Sequence, residues 1–254
     1  STSLEDVAAE LGDAPRWYQL YWFDDRELVG SIVDRAGAAG YGAIVVTLDT
    51  LMLGWRPRDL RLGYLPFLTG EGLAQFFTDP VFRASLDRSP EEDALSASVR
   101  ALSVFSNLGL TWADLAWLRE RTDLPVLVKG VLTGDDALIA LEHGVEGIIV
   151  SNHGGRQVDG AVASLDALVE VREAIGADAT VLVDSGIRSG ADVLKAIALG
   201  ADAVLLGRPY AYGLAVGGQA GVEAVIRQLA AEVDITLALS GGRSVRELDP
   251  SAVT

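Results

Sequence analysis

Short apolar runs alternate with amphipathic stretches along this chain of 254 residues. Six runs have the length and the β-branched content of strands, and most lack the polar–apolar alternation of a half-exposed sheet. They cover residues 16–22, 43–49, 125–129, 147–151, 180–184 and 203–207. Strands that are apolar on both faces are typical of a parallel sheet covered by helices.

Amphipathic patterns with a helical period separate most of these runs. They cover residues 25–39, 134–143, 164–175, 191–199 and 221–239. Several begin near Asp, Ser or Thr, which cap helix N-termini, and several are followed by glycine, which ends helices. Strands that alternate with helices predict βαβ units and therefore an α/β fold with a parallel sheet.

One connection is much longer than the others. An ordinary α/β unit connects its strands by one helix and loops of about two to six residues. The connection between the second and third predicted strands is much longer than that. We interpret residues 51–106 as an insertion that serves as a lid or binding loop. Residues 89–98, its polar and acidic middle, are predicted to be disordered.

Composition restricts the class of protein. Half of the residues are hydrophobic and 22% are charged, which favours a folded domain with a large core. The chain contains no cysteine, so a disulfide scaffold and a thiolate metal site are excluded, and no metal is expected. Without a signal-peptide or membrane-span pattern, a cytoplasmic location is expected.

The net charge indicates which classes of partner the chain can bind. The chain has 20 Lys+Arg and 36 Asp+Glu, a formal net charge of −16. Such a negative field repels nucleic acid and anionic membranes, so neither is expected as a partner.

Polar side chains collect where the predicted strands end, at the edge that carries the reactive groups of parallel α/β folds. Each has a structural alternative. Lys129 could extend its aliphatic stem to the surface, and Asp49 and Asp184 could cap helices. His153 lies in a glycine-rich strand exit, which favours function, whereas His143 ends a predicted helix and is interpreted as a partner of its dipole.

Two neighbouring strand exits carry the pattern of an anion site. Gly186 and Arg188 follow the fifth predicted strand, and Gly207 and Arg208 follow the sixth. Glycine lets the backbone approach an anion, and a guanidinium can close on it. In (β/α)8 barrels the loops after the last two strands commonly bind phosphate, so a phosphate cup is predicted here.

The chain resembles the FMN-dependent L-2-hydroxy acid oxidases and dehydrogenases, which include glycolate oxidase, lactate oxidase and lactate 2-monooxygenase. The resemblance runs nearly end to end, through RWYQLYW, VVTLDT, LVKG, IIVSNHGGRQ, VDSGIRSG, LLGRPY and LSGGRS. SNHGGRQ is highly specific for the family. The segments LGWRPRDLRLGYLPFLTG and FFTDPVF look most like the lactate 2-monooxygenase branch.

The resemblance implies catalytic and substrate-binding roles. His153 would take a proton from the substrate, Asp184 would hold the resulting imidazolium, and Tyr21 would hydrogen-bond the substrate. Arg156 and Arg56 would bind the substrate carboxylate. The substrates implied are a small 2-hydroxy carboxylate and O2.

The resemblance also implies FMN as the cofactor. Lys129 would lie beside flavin N1 and O2, and the phosphate cup would hold the phosphate group. The implied flavin-binding residues are Gln19, Thr47, Lys129, Ser151, Asp184, Gly186, Arg188, Gly207 and Arg208.

The implied reaction is oxidation of an L-2-hydroxy acid, L-lactate foremost, to the 2-oxo acid with O2 as the electron acceptor. Retention of pyruvate in the closed site would permit its decarboxylation to acetate. Such retention would be a property of the lid. The family fold is a TIM (β/α)8 barrel, but only six of eight strand units are predicted. Residues 1–254 are therefore expected to be one N-terminally truncated domain, and a homotetramer is expected if the barrel is complete.

Two other hypotheses stay open from the residues alone. The chain could be an inactive or weakly flavin-binding partial barrel that needs the missing N-terminal strands. It could also be a different barrel enzyme with a phosphorylated substrate in the same cup, although SNHGGRQ argues against that.

Overall fold

The computed structural model describes residues 1–253, which contain six strands and eleven α-helices. The strands are β1 Tyr18–Tyr21, β2 Ile44–Thr47, β3 Val126–Val131, β4 Gly147–Val150, β5 Thr180–Val183 and β6 Ala203–Val204. The helices are α1 Leu4–Leu11, α2 Arg26–Ala38, α3 Pro57–Leu62, α4 Ala74–Phe77, α5 Pro80–Ala84, α6 Ala94–Phe105, α7 Asp114–Arg121, α8 Gly134–Glu142, α9 Ser164–Ile175, α10 Gly190–Ala198 and α11 Arg208–Leu239.

The strands are hydrogen-bonded in chain order, from β1 to β6. The pairs β1–β2, β4–β5 and β5–β6 are parallel. In the first pair Tyr21 lies beside Thr47, and in the second Val150 lies beside Val183. All six predicted strands and the parallel α/β fold are confirmed.

The chain divides into two compact units. The first contains residues 1–128 and His143–Val145, and the second contains residues 129–142 and the described residues from 146 onward. Strand β3 therefore contributes its first half to one unit and its second half to the other.

The first unit has its apolar core around α2. Leu28, Val29, Ile32 and Val33 of this helix are buried, and β2 is buried along its whole length. Burial of each such side chain stabilises the fold by roughly 1.5 to 3 kcal/mol. Helix α2 begins at Asp25, whose carboxylate accepts a hydrogen bond from the Leu28 backbone N–H at 3.0 Å.

The insertion is ordered where disorder was predicted, with a turn at residues 89–93 followed by the start of α6. Within residues 89–98, Asp93 caps α6 by accepting a hydrogen bond from the Ser96 N–H at 3.0 Å. Glu91 is paired with Arg83 at 2.9 Å. The prediction of disorder was wrong because these carboxylates cap a helix and form an ion pair.

Aromatic side chains join the insertion to the strand end beside it. The rings of Phe23 and Phe76 lie 4.7 Å apart, those of Phe76 and Phe82 lie 5.3 Å apart, and that of Phe105 lies 6.2 Å from Phe23. Such pairs add to the stabilisation that burial itself gives. Helices α4, α5 and α6 are therefore part of the core of the first unit.

A buried carboxylate fixes α5 to α2. Asp79 is completely buried, and its Oδ2 accepts hydrogen bonds from Ser31 Oγ at 2.8 Å and from Arg35 Nη1 at 2.9 Å. Its Oδ1 caps α5. Arg35 also donates to Glu5, and this hydrogen bond lowers the pKa of the Glu5 carboxyl. One guanidinium thus links α1, α2 and the insertion.

Replacement of the buried carboxylate should therefore destabilise the first unit. We expect Asp79→Ala to lower the free energy of unfolding by about 3 to 5 kcal/mol, because Arg35 would be left without its buried partner. Urea denaturation measures this. Glu91→Ala is the control, since it removes a carboxylate from an exposed ion pair and should change stability little. Equal losses for both variants would contradict the assignment.

The second unit repeats one packing device. The Gly134 N–H at the start of α8 donates to Glu170 of α9 at 2.9 Å, and the Gly190 N–H at the start of α10 donates to Glu232 of α11 at 2.9 Å. A Cβ at Gly190 would lie 2.3 Å from the α11 backbone, so only glycine fits this contact. Helices α9 and α11 therefore each supply a glutamate that caps the N-terminus of the preceding helix.

Helix α11 consists of two helical segments. Non-helical angles at Gly217 and Gly218 separate the segment that begins at Arg208 from the segment that ends at Leu239. The second segment agrees with the helix predicted at residues 221–239, whereas the first segment was not predicted. Although α11 has 32 residues, no helix within residues 1–253 combines the length and the apolar content needed to cross a membrane.

Candidate functional site

The second unit contains an open pocket of about 340 Å³ beside the ends of its strands. The pocket brings together many of the side chains that the sequence singled out. Its lining includes Lys129, His153, Arg156, Asp184, Gly186, Arg188, Gly207 and Arg208.

Lys129 and Asp184 form the polar wall of this pocket, and the buried Ser151 lies behind them. Lys129 Nζ donates to Ser151 Oγ at 3.0 Å and lies 3.4 Å from Asp184 Oδ2. Only 14% of the Lys129 side chain is exposed, so the surface alternative for this residue is excluded. Asp184 does not cap α10, since Ser189 does. The positively charged Lys129 ammonium group is thus held in place in the pocket.

His153 is held in a strained turn after β4. Its backbone N–H donates to Ser151 Oγ at 3.0 Å. His153, Gly154 and Gly155 have φ angles of 55°, 66° and 72°, in the left-handed region that favours glycine. A non-glycine residue there stores strain that neighbouring contacts must balance, a frequent feature of functional sites.

The residues of the predicted phosphate cup also line this pocket. At the start of α10, Ser189 and Asp192 form a capping box and the Gly190 N–H donates to Glu232, so three N–H groups there already have partners. Helix α11 has no side-chain cap, and its first residues line the pocket beside Arg188 and Arg208. The groups of this pocket that suit an anion are therefore the N-terminus of α11, Arg208 within it and Arg188 before α10.

The first unit holds the other predicted site residues. Gln19 Nε2 donates to Thr47 Oγ1 at 2.7 Å across β1 and β2. The Tyr21 ring lies 5.2 Å from that of Phe105. Arg56 occupies the N-cap position of α3. The structure thus brings Gln19 and Thr47 together within this unit.

Asp49 also belongs to the first unit. Its Oδ1 accepts a hydrogen bond from Thr50 Oγ1 at 3.1 Å. The next helix, α3, has Arg56 as its N-cap residue. The helix-cap alternative for Asp49 is therefore wrong.

Sequence reasoning missed two residues that support the His153 turn. Asn152 Oδ1 accepts from the Gly154 N–H at 3.0 Å, and Ser185 Oγ accepts from the same N–H at 2.8 Å. Asn152 followed two residues later by glycine is the pattern of an Asx turn, which could have revealed it. No local signal marks Ser185, because its partner lies 31 residues away.

Comparison with known proteins identifies the family. The FMN-dependent dehydrogenase family matches residues 1–254, and the chain belongs to it. The FMN-dependent alpha-hydroxy acid dehydrogenase qulF of Penicillium citrinum is 48% identical over 250 residues, which are 97% of this chain and 62% of that protein. L-lactate oxidase of Lysinibacillus sphaericus is 45% identical over 246 residues, 97% of this chain and 63% of that protein.

A solved structure supports the same conclusion. An active chimera of (S)-mandelate dehydrogenase matches with a TM-score of 0.85 and 37% identity, over 99% of this chain and 68% of that one. The fold expectation, a partial barrel with six strand units, and the expected cofactor FMN are confirmed. The chain spans 62% and 63% of the lengths of the two relatives above.

The donor groups of the pocket fit FMN. Arg188, Arg208 and the uncapped start of α11 suit a phosphate dianion. Lys129, at the polar wall, suits a ring that becomes negatively charged on reduction. The pocket thus offers cationic groups for both ends of the cofactor.

Removal of one cup arginine should weaken FMN binding. We expect Arg188→Ala to raise the Kd for FMN about tenfold or more, because a charge-assisted hydrogen bond contributes roughly 1.5 to 3 kcal/mol. Quenching of flavin fluorescence measures this Kd. Arg227→Ala removes the same charge from α11 at a side chain that is 82% exposed, and it should leave the Kd unchanged. Equal affinities of both variants would exclude Arg188 from the cup.

Proposed function

We propose that this chain catalyses the FMN-dependent oxidation of an L-2-hydroxy acid, L-lactate foremost, to the 2-oxo acid, with O2 as the final electron acceptor. The observation that carries the proposal is the common pocket of His153, Arg156 and the Lys129–Asp184 pair. The names of the relatives, an alpha-hydroxy acid dehydrogenase and an L-lactate oxidase, support this substrate class.

His153 is the proposed base. FMN, when bound, supplies the acceptor for the hydrogen and the two electrons that leave the substrate α-carbon. The His153 imidazole accepts the proton of the substrate hydroxyl, because imidazole titrates near neutral pH and can both take and release a proton. Asp184 lines the same pocket, and its negative charge stabilises the imidazolium that forms.

Arg156 is the proposed ligand of the substrate carboxylate. A guanidinium offers two parallel N–H donors that match the two oxygens of a planar carboxylate. Arg56 and Tyr21 of the first unit are proposed as further substrate ligands on the strength of the family match. Two cationic groups and a phenol would suit a small 2-hydroxy acid and disfavour neutral alcohols.

Lys129 is the proposed counter-charge for the reduced flavin. Its position is fixed by Ser151, which is completely buried, and by Asp184. A cation held in place before the reaction costs no reorganisation when negative charge develops. Gln19, Thr47 and Ser151 are proposed as further partners of the ring, and Gly186, Arg188, Gly207 and Arg208 as partners of the phosphate.

The outcome with oxygen is proposed to depend on the insertion. Residues 52–68 carry several exposed apolar side chains, with Trp55 the most exposed at 81%. Closure over bound product would bury such side chains and retain the product, which favours decarboxylation to acetate as in lactate 2-monooxygenase. Detection of acetate instead of pyruvate and peroxide tests this finer proposal. A cytoplasmic location is proposed, and a homotetramer is proposed for the case that the barrel is complete.

Substitution of each histidine in turn tests whether His153 is the base. We expect His153→Gln to retain FMN but to lower the rate of L-lactate-driven flavin bleaching by about 10²-fold or more, the usual contribution of a general base. His143→Gln is the matched control, since the chain has two histidines and His143 lies against Trp112 in the first unit. Stopped-flow absorbance of the flavin band gives both rates.

The same experiment tests the alternative of an inactive partial barrel. Purified chain that stays colourless with added FMN, or that binds FMN and ignores every 2-hydroxy acid offered, would favour the alternative. Bleaching by His153→Gln at the wild-type rate would show that another group is the base.

A further inference from the structure

The backbone of Gly154 is held on both sides by residues from three strand exits. Its N–H donates to Asn152 Oδ1, after β4, at 3.0 Å and to Ser185 Oγ, after β5, at 2.8 Å. Its carbonyl oxygen accepts from Arg208 Nη2, after β6, at 2.8 Å. The N–H belongs to the peptide that joins His153 to Gly154, so its contacts fix the backbone from which the imidazole projects.

Ser185 connects this peptide to the aspartate. Its hydroxyl accepts from the Gly154 N–H and donates to Asp184 Oδ1 at 2.7 Å. A hydroxyl has one donor hydrogen and two acceptor lone pairs, so both bonds form together. The other Asp184 oxygen lies 3.4 Å from Lys129 Nζ. A continuous path therefore runs from Lys129 through Asp184 and Ser185 to the His153 turn.

The backbone of Ser185 is strained. Its φ is 73°, and it is one of two non-glycine residues with positive φ within residues 1–253, the other being His153. Glycine adopts this conformation without the steric penalty of a Cβ. The strained residue that joins the two loops is therefore held by the two hydrogen bonds of its side chain.

We infer that Ser185 is a positioning residue, which fixes the Gly154 peptide and thereby aligns His153 with the Asp184 side of the pocket. The catalytic meaning of this alignment rests on the proposed function, whereas the structural link does not. Because the Ser185 hydroxyl bonds the Gly154 N–H and the Asp184 carboxylate, its loss should impair the chemical step more than substrate binding.

The test variant is Ser185→Gly, studied in the purified chain with excess FMN. Glycine relieves the strain at φ 73° and removes both hydrogen bonds, so Tm should stay equal or rise while the turn loosens. Amide exchange of Gly154 should accelerate about tenfold, as expected for the loss of one hydrogen bond. The imidazole C–H signals of His153 in the NMR spectrum should shift or broaden, and those of His143 should not.

Ser189→Ala is the matched control. Ser189 lies in the same DSGIRSG segment, where its Oγ accepts from the Asp192 N–H and caps α10. Its loss should lower Tm but leave the Gly154 exchange rate and the His153 signals as in the wild type. If the role of Ser185 were purely structural, the changes in Gly154 exchange and His153 signals would accompany a loss of Tm in either variant. If Ser185 positions the turn, these changes occur in Ser185→Gly alone.

A kinetic measurement adds the functional readout. With L-lactate, Ser185→Gly should lower kcat about tenfold and change KM by less than about threefold, since the substrate ligands stay in place. Unchanged Gly154 exchange and unchanged His153 signals in Ser185→Gly would overturn the inference. If none of the 2-hydroxy acids offered to the wild-type chain reduces its FMN, the proposed function fails. The NMR result alone then decides whether Ser185 positions the turn.

Discussion

The parallel register of β4 and β5 is the constraint on which the candidate site depends. Val150 lies beside Val183, and the Asp184 N–H donates to the Val150 carbonyl at 3.0 Å. This pairing places the exit of β4, with Ser151 and His153, directly beside the exit of β5. A one-residue slip would turn every side chain of one strand to the other face and would separate the histidine turn from the aspartate.

The electrostatics of the pocket run against those of the chain. The protein carries a net charge of −16, yet its pocket contains Lys129 and three arginines. Local charge, rather than net charge, decides which ligand enters a concave site, because low-dielectric walls focus the field. An acidic protein can therefore offer anionic ligands a cationic pocket, while its outer surface still repels polyanions.

The strands, most of the helices between them and the polar strand exits could be predicted from the sequence, because each follows from a local hydrophobic period or from a motif. The insertion could not. Acidic residues 89–98 read as solvated chain, but Asp93 caps α6, which buries Ala97, Ala101 and Val104. Likewise, the helical segment that begins at Arg208 was not predicted, although the break at Gly217 and Gly218 agrees with a helix that starts near residue 221. Long-range packing overrides such local signals.

The sequence by itself determined the parallel α/β fold, the family and the chemical types of the groups at the strand ends, since these depend on side-chain identity and spacing. Only the tertiary structure decided that Asp79 is buried against Arg35 and that Ser185 bonds the Gly154 peptide. Those partners lie 44 and 31 residues apart in the chain. Their meeting depends on strand register and helix packing, which no local pattern of residues encodes.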